Sequence, residues 1–127
     1  MDRQNISART PWEDVFGYSR AVRVGNVVKV SGTIATDESG TVYGAGDMYA
    51  QSVYIIQKIE KALQEAGASL SDVVRTRSFV TNLDEWEGLA KAHVEYFGDI
   101  HPAATMVEIS RLMSPEFLIE MEVEAII

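Results

Sequence analysis

From Ile119 to Ala125 the chain alternates apolar and acidic residues without a break, and the period extends back to Phe117: Phe117, Ile119, Met121, Val123 and Ala125 fall on one face of an extended strand, Glu120, Glu122 and Glu124 on the other. A slip of one residue would turn three carboxylates into the core, so both the extended conformation and the register are fixed. Such a strand needs a sheet with one face covered by apolar packing and the other carrying charge. The remainder of the chain must supply the cover.

Two upstream segments have helical periodicity. Asp47 can cap a helix over about Met48–Ala66, in which Val53, Ile56, Ile59, Leu63 and Ala66 recur every three or four residues, and Gly67 stands where a left-handed C-terminal cap belongs. Asn82 with Glu85 three residues on opens a second helix, whose stripe of Trp86, Leu89, Ala90, His93 and Phe97 ends before Gly98. The β-branched runs Ala21–Val24 and Val27–Ser31, split by the turn pair Gly25-Asn26, predict a hairpin. Asp72–Val80 predicts a strand with Val73, Arg75, Arg77 and Phe79 on one face and Val74, Thr76, Ser78 and Val80 on the other. Two further strands are expected near Thr105–Ser110 and over Phe117–Ile127, with residues 1–10 a loose lead-in.

The order β-β-α-β-α-β-β describes one α+β domain over residues 1–127, a two-layer sandwich with two helices on one face of a mixed sheet. At 127 residues a second domain does not fit, and 46% hydrophobic with 24% charged residues is an ordinary globular balance. No element remains to cover the second sheet face. Val, Phe and Met side chains there would form an exposed apolar patch, so subunits are expected to pack sheet to sheet.

Composition excludes several kinds of chemistry. Zero cysteines remove disulfides, thiol catalysis and thiolate metal sites, and two histidines, His93 and His101, leave little for a zinc site; no metal and no cofactor are expected. A net charge of −8 opposes nucleic-acid binding through phosphate contacts, and the pairs Arg20/Arg23 and Arg75/Arg77 read as surface charge. No apolar run approaches the roughly 20 residues that cross a bilayer. The N-terminus lacks a signal-peptide layout, so a cytoplasmic protein without membrane partners is expected.

Alternation leaves the three glutamates equivalent. Each reads as a solvated position or as a cross-strand ion-pair partner of Arg75 or Arg77. In a cleft, one of them could instead orient or deprotonate a water while an arginine holds an anionic small molecule. His93 on its apolar stripe reads first as a core histidine rather than a catalytic base, and Trp86 and Phe97 as core aromatics rather than substrate platforms.

Several blocks, in order and spread over nearly the whole chain, carry a resemblance: Gly17-Tyr18-Ser19-Arg20-Ala21-Val22-Arg23-Val24-Gly25-Asn26, Val30-Ser31-Gly32, Glu65-Ala66-Gly67-Ala68-Ser69-Leu70-Ser71-Asp72-Val73-Val74, Tyr96-Phe97-Gly98, and His101-Pro102-Ala103-Ala104-Thr105-Met106-Val107-Glu108. The sequence resembles the YjgF-type reactive-intermediate deaminase (Rid) family, whose older labels include translation inhibitor and L-PSP endoribonuclease. The resemblance implies a homotrimer of chorismate-mutase-like subunits with clefts between them. It implies hydrolysis of 2-imino or 2-enamino acids to 2-keto acids and ammonia, without cofactor or metal.

By the same resemblance, Tyr18 matches a tyrosine at the cleft entrance and Glu120 the glutamate that positions the hydrolytic water. The arginine that grips the substrate carboxylate in better-known members is Ala104 here, and a frequent asparagine and tyrosine of the next helix fall on Ala90 and His93. The sequence is similar to a branch with Arg-Thr-Arg before Phe-Val-Thr, as in Arg75-Thr76-Arg77-Ser78-Phe79-Val80-Thr81. On that reading Arg77 replaces the clamp, with His93 or Trp86 shaping the pocket; an interface ion pair with a glutamate of the last strand explains Arg77 equally well. The readings that follow are an imine, enamine or related C–N hydrolase of altered specificity, and a non-catalytic ligand-binding trimer. An endoribonuclease ranks below both.

Overall fold

The computed structural model describes residues 2–127. Six strands and three helices follow in the order β1 (Arg3–Ile6), α1 (Pro11–Phe16), β2 (Ala21–Val24), β3 (Val27–Thr33), α2 (Met48–Glu65), β4 (Val73–Val80), α3 (Trp86–Phe97), β5 (Ala103–Glu108) and β6 (Ile119–Ile126). The strands form one sheet in the order β1-β2-β3-β6-β4-β5, antiparallel except for the parallel pair β4–β5. This is the expected α+β sandwich with a mixed sheet.

β6 lies at the centre and fulfils the alternation: Ile119, Met121, Val123 and Ala125 are buried beneath the helices, and Glu120, Glu122 and Glu124 stand on the open face. Helix α2 supplies Ile55, Ile56, Ile59, Ala62 and Leu63 to that core, capped at its start by Asp47, which accepts from the Ala50 amide, and followed by Gly67 at φ 84°. The fully buried Gln51 adds a polar tether that periodicity did not mark. Its amide donates to the Glu116 carbonyl at 2.8 Å and accepts from the Leu118 amide at 2.9 Å, fixing where β6 begins.

Three expectations need correction. Residues 3–6 are not loose: they pair with β2 as an edge strand, and α1 follows, opened by a capping box of Thr10 and Glu13. Val73 does not share a face with Arg75. A bulge between the pairs Val73↔Ala125 and Arg75↔Glu124 inserts one residue, so Val73 joins Thr76, Ser78 and Val80 in the core while Arg75, Arg77 and Phe79 face outward.

The open sheet face is also less greasy than expected. Lys29, Glu124, Arg77 and Glu122 form an ion-pair ladder across β3, β6 and β4, with contacts of 3.6, 3.2 and 3.2 Å, and the methionine of β6 lies on the covered side. Exposed apolar surface concentrates elsewhere. Trp12, Val15 and Phe16 of α1 are 60, 78 and 84% exposed, and every residue of β5 is exposed, Met106 and Val107 among them.

Candidate functional site

A second bulge builds the notch that holds Glu120. Between Val30↔Val123 and Thr33↔Met121, β3 carries one more residue than β6, and Ser31 and Gly32 occupy the irregularity. The Glu120 side chain lies in the space that a side chain on Gly32 would fill: a Cβ there would come within 2.8 Å of its Cδ and 3.2 Å of its Cγ. Glycine is thus required by close approach, not by backbone conformation.

Helix α1 and the turn after it bring the remaining groups. Gly17, at φ 80°, closes α1 with its amide on the Glu13 carbonyl, and Tyr18 follows with a second bond to the same carbonyl. The Arg20 amide then donates to Ile6, and its carbonyl accepts from Ser31, which joins β1, β2 and β3 at this corner. The Arg20 side chain turns into the notch: Nη2 donates to the Gly32 carbonyl at 2.6 Å, and the guanidinium sits 5.7 Å from the centre of the Tyr18 ring. Its Nε is buried without an acceptor among the described residues.

The electrostatics of the corner follow from burial. Desolvation raises the Glu120 carboxyl above the ordinary glutamate value, against the pull of Arg20 and with added repulsion from Glu122. Desolvation likewise lowers Arg20, which remains within range of Tyr18, Glu13 and Glu120. Lys58 of α2 approaches from the covered side, its Nζ donating to the carbonyls of Ile34 and Thr36 at 2.8 and 2.9 Å; burial first, and the charge of Arg20 second, bring it down to about 8.

Of the residues singled out in the sequence, Tyr18 and Glu120 both lie within range of Arg20 at this corner. Arg77 is on the same sheet face, opposite Glu122, and its Nη1 is shared by Glu122 and Glu124 at 3.2 Å each. That engagement, led by the bond to Glu124, holds the guanidinium above its ordinary value. His93 and Trp86 lie across the sheet. His93 Nε2 is 2.8 Å from Thr76 Oγ1 on the helix-covered side, its ring 4.8 Å from Phe97, and burial lowers it below the ordinary histidine value. Thr76 is paired in register with Ala104, so Ala104 shares the side of the sheet on which His93 lies. Trp86 begins α3 and is half exposed.

Arg20 is the residue that sequence reasoning missed. Read with Arg23 it looked like surface charge; the available signal was Gly32, a glycine interrupting a β-branched run, which marks a bulge or a close approach. The single chain does not enclose Glu120. Two concavities of the described residues lie beside β1, about 410 Å³ lined by Asp2, Arg3, Gln4, Arg23 and Gly25, and on the open face, about 260 Å³, lined by Ser31, Arg77 and Glu122 among others. Among the described residues no cluster of three His, Asp or Glu side chains could hold a metal, and no helix is long and apolar enough to cross a membrane.

Comparison with known proteins agrees with this architecture. Residues 11–127 match the family model described as Endoribonuclease L-PSP. A RutC family protein of Pyrococcus abyssi is 41% identical over 123 residues, 96% of this chain and 95% of that protein. The 3-aminoacrylate deaminase RutC of Acinetobacter baylyi is 33% identical over 104 residues, 82% of each. A crystal structure of a YjgF/YER057c/UK114 family member from Mycobacterium tuberculosis superposes with a TM-score of 0.90 at 39% identity, covering 99% of this chain and 100% of that one.

Proposed function

The chain belongs to the endoribonuclease L-PSP family, the YjgF/RutC/Rid group, and from that premise we propose that it is a hydrolytic deaminase of small imines or enamines, with Glu120 handling the water. The observation that carries the reading is the Glu120 carboxyl itself. It is partly buried in a notch made for it by Gly32, it is raised by desolvation, and it lies within range of Arg20, whose guanidinium sits over Tyr18. A carboxyl poised above its ordinary value can accept a proton from water and return it within one turnover. The relative named as a 3-aminoacrylate deaminase supports the same reaction class.

In this reading Glu120 takes a proton from water as the oxygen adds to the C=N carbon, and gives it to the nitrogen. The resulting carbinolamine collapses, the C–N bond breaks, and ammonia leaves as the carbonyl forms. An enamine first gains a proton at carbon and loses one from nitrogen to become the imine. Polar groups already aimed at the site stabilise the developing charges without having to reorganise.

Three copies of the chain would complete the site. The apolar face of α1 and the exposed edge strand β5 are the surfaces that call for partners. His93, Trp86 and Ala104 lie on the far side of the sheet from Glu120, so they could line its cleft only from a neighbouring copy. One observation favours a second reading, a trimer that binds a small ligand without turning it over: position 104 is alanine. RNA cleavage is not proposed, because a net charge of −8 and a row of glutamates on the open face repel phosphates.

The test is ammonia release from imines generated in place by an amino-acid oxidase, and from 3-aminoacrylate. Faster release with the wild-type chain, lost by about 100-fold or more in Glu120→Ala, is the expected result. No acceleration on any of these compounds, with retained binding of the keto-acid products, would establish the binding reading instead.

A further inference from the structure

We propose that Lys58 is a positioning residue for Glu120: from α2 it fixes the backbone that leaves the Gly32 notch, and so sets where the carboxyl stands. This role rests on the deaminase reading of that corner and adds to it a residue that acts through the backbone alone.

The bulge that makes the notch interrupts the ladder between β3 and β6, and backbone carbonyls freed inside a fold need other donors. Three alternate carbonyls from the bulge onward receive side-chain cations. Gly32 accepts from Arg20 Nη2 at 2.6 Å, and Ile34 and Thr36 accept from Lys58 Nζ at 2.8 and 2.9 Å, with the Thr36 hydroxyl 3.4 Å from the same nitrogen. Arg20 therefore holds the notch itself, and Lys58 holds the chain that runs out of it.

Helix α2 is a firm anchor, because Ile55, Ile59 and Ala62 on either side of Lys58 are buried in the core. A second support runs beside the first. The Lys58 ammonium lies 6.0 Å from the centre of the Tyr54 ring, Tyr43 stacks on that ring at 4.5 Å, and the Tyr43 amide donates to the Ala35 carbonyl at 2.8 Å. Three consecutive carbonyls, those of Ile34, Ala35 and Thr36, are thus tied to α2, two directly and one through the aromatic pair.

The use of a lysine points to placement. A neutral amide satisfies backbone groups at less cost, as Gln51 does on the same helix. Lys58 instead gives up hydration, and burial together with the charge of Arg20 brings it down to about 8 against the opposing pull of Asp37. Its long stem supplies the reach. If that grip is lost, Gly32 is held on one side only, and a carboxyl packed against its empty side-chain position moves with it.

The chain has no cysteine, so Lys58→Cys can be alkylated at that position alone. Aminoethylation in urea, followed by refolding, rebuilds the lysine stem with sulfur in place of one methylene and returns an amine at similar reach. Wild type taken through the same steps, Lys58→Cys, its aminoethylated form, Lys58→Gln with its shorter stem, and Asp47→Ala, which removes the cap of α2, are compared by urea unfolding, carbon-13 NMR titration of Glu120 and ammonia release. Lys58→Cys and Lys58→Gln should lower kcat by about tenfold or more with KM within about twofold, and should shift the Glu120 titration toward the ordinary glutamate value. Aminoethylation should restore both, and Asp47→Ala should change neither although its urea midpoint falls. An unchanged Glu120 titration in both Lys58 variants, or losses that aminoethylation does not repair, would overturn the proposal; an equal loss in Asp47→Ala would make it a matter of stability alone. The titration needs no substrate. Hydrolysis at the wild-type rate in the Lys58 variants would sink this inference and leave the deaminase reading standing, whereas a Lys58-dependent Glu120 titration in a chain that hydrolyses nothing would do the reverse.

Discussion

Gly32→Ala adds a single carbon where the Glu120 carboxyl lies. Carbon atoms pack at about 3.5–4.0 Å, and the added Cβ would sit 2.8 Å from Cδ and 3.2 Å from Cγ, with the carboxylate oxygen nearer still. The backbone at Gly32 is not left-handed, so alanine is not strained there. The Gly32 carbonyl is held by Arg20, so the mobile partner is the glutamate side chain, which must swing out by about 1 Å. A displacement of that size lowers kcat/KM by about 100-fold. Stability should hardly change: restricting the unfolded chain gains about 0.4–1 kcal/mol, and a strained glutamate rotamer loses about 0.5–1.5 kcal/mol. The assay pairs urea unfolding with ammonia release and with a carbon-13 NMR titration of Glu120, whose pKa should fall toward the ordinary glutamate value as the carboxyl reaches solvent. Full activity together with an unchanged Glu120 titration would refute the notch, because the carboxyl would then not be resting against Gly32.

Two further outcomes follow from buried polar groups. Lys58, brought down to about 8 from the ordinary 10.5, binds fewer protons folded than unfolded between those values, so it makes stability rise with pH across that window; Lys58→Met should flatten the rise, measured as the difference between wild-type and variant urea midpoints on either side of it, and a difference that does not change with pH would contradict the assignment. Gln51→Leu strips the Glu116 carbonyl and the Leu118 amide of their partners and should cost roughly 2–4 kcal/mol in urea unfolding, whereas a loss below about 1 kcal/mol would show that water replaces the tether.

What could be read from the sequence was what period and punctuation encode. β6 alternates over its whole length, the hairpin has Gly25-Asn26 at its turn, and α2 has Asp47 before it and Gly67 after it. β1 has one buried residue in four, Ile6, and owes its strand conformation to pairing with β2, which no local pattern announces. The six residues of α1 span less than two turns, so although Trp12, Val15 and Phe16 fall at helical spacing the segment is too short for its period to stand out. The bulge in β4 was equally silent, because one inserted residue leaves composition and propensity unchanged, whereas the bulge in β3 had Gly32 as its one signal. The first moved Val73 into the core; the second made the notch. Glu120 could be singled out only through the family resemblance, and Arg20 only once Gly32 was seen between them.

The sheet also divides the resemblance into two parts that need not change together. Ala90, His93 and Ala104, where this chain departs from better-known members, belong to α3 and β5 at the covered side of the β4–β5 edge. Tyr18, Gly32 and Glu120, where it keeps the pattern, belong to the opposite face at the β2–β3–β6 corner, and Arg20 is there with them. No side chain reaches from one set to the other through the sheet. On the proposed reading, a cleft using both is built from two copies, one giving the Glu120 carboxyl and the other the wall of α3 and β5.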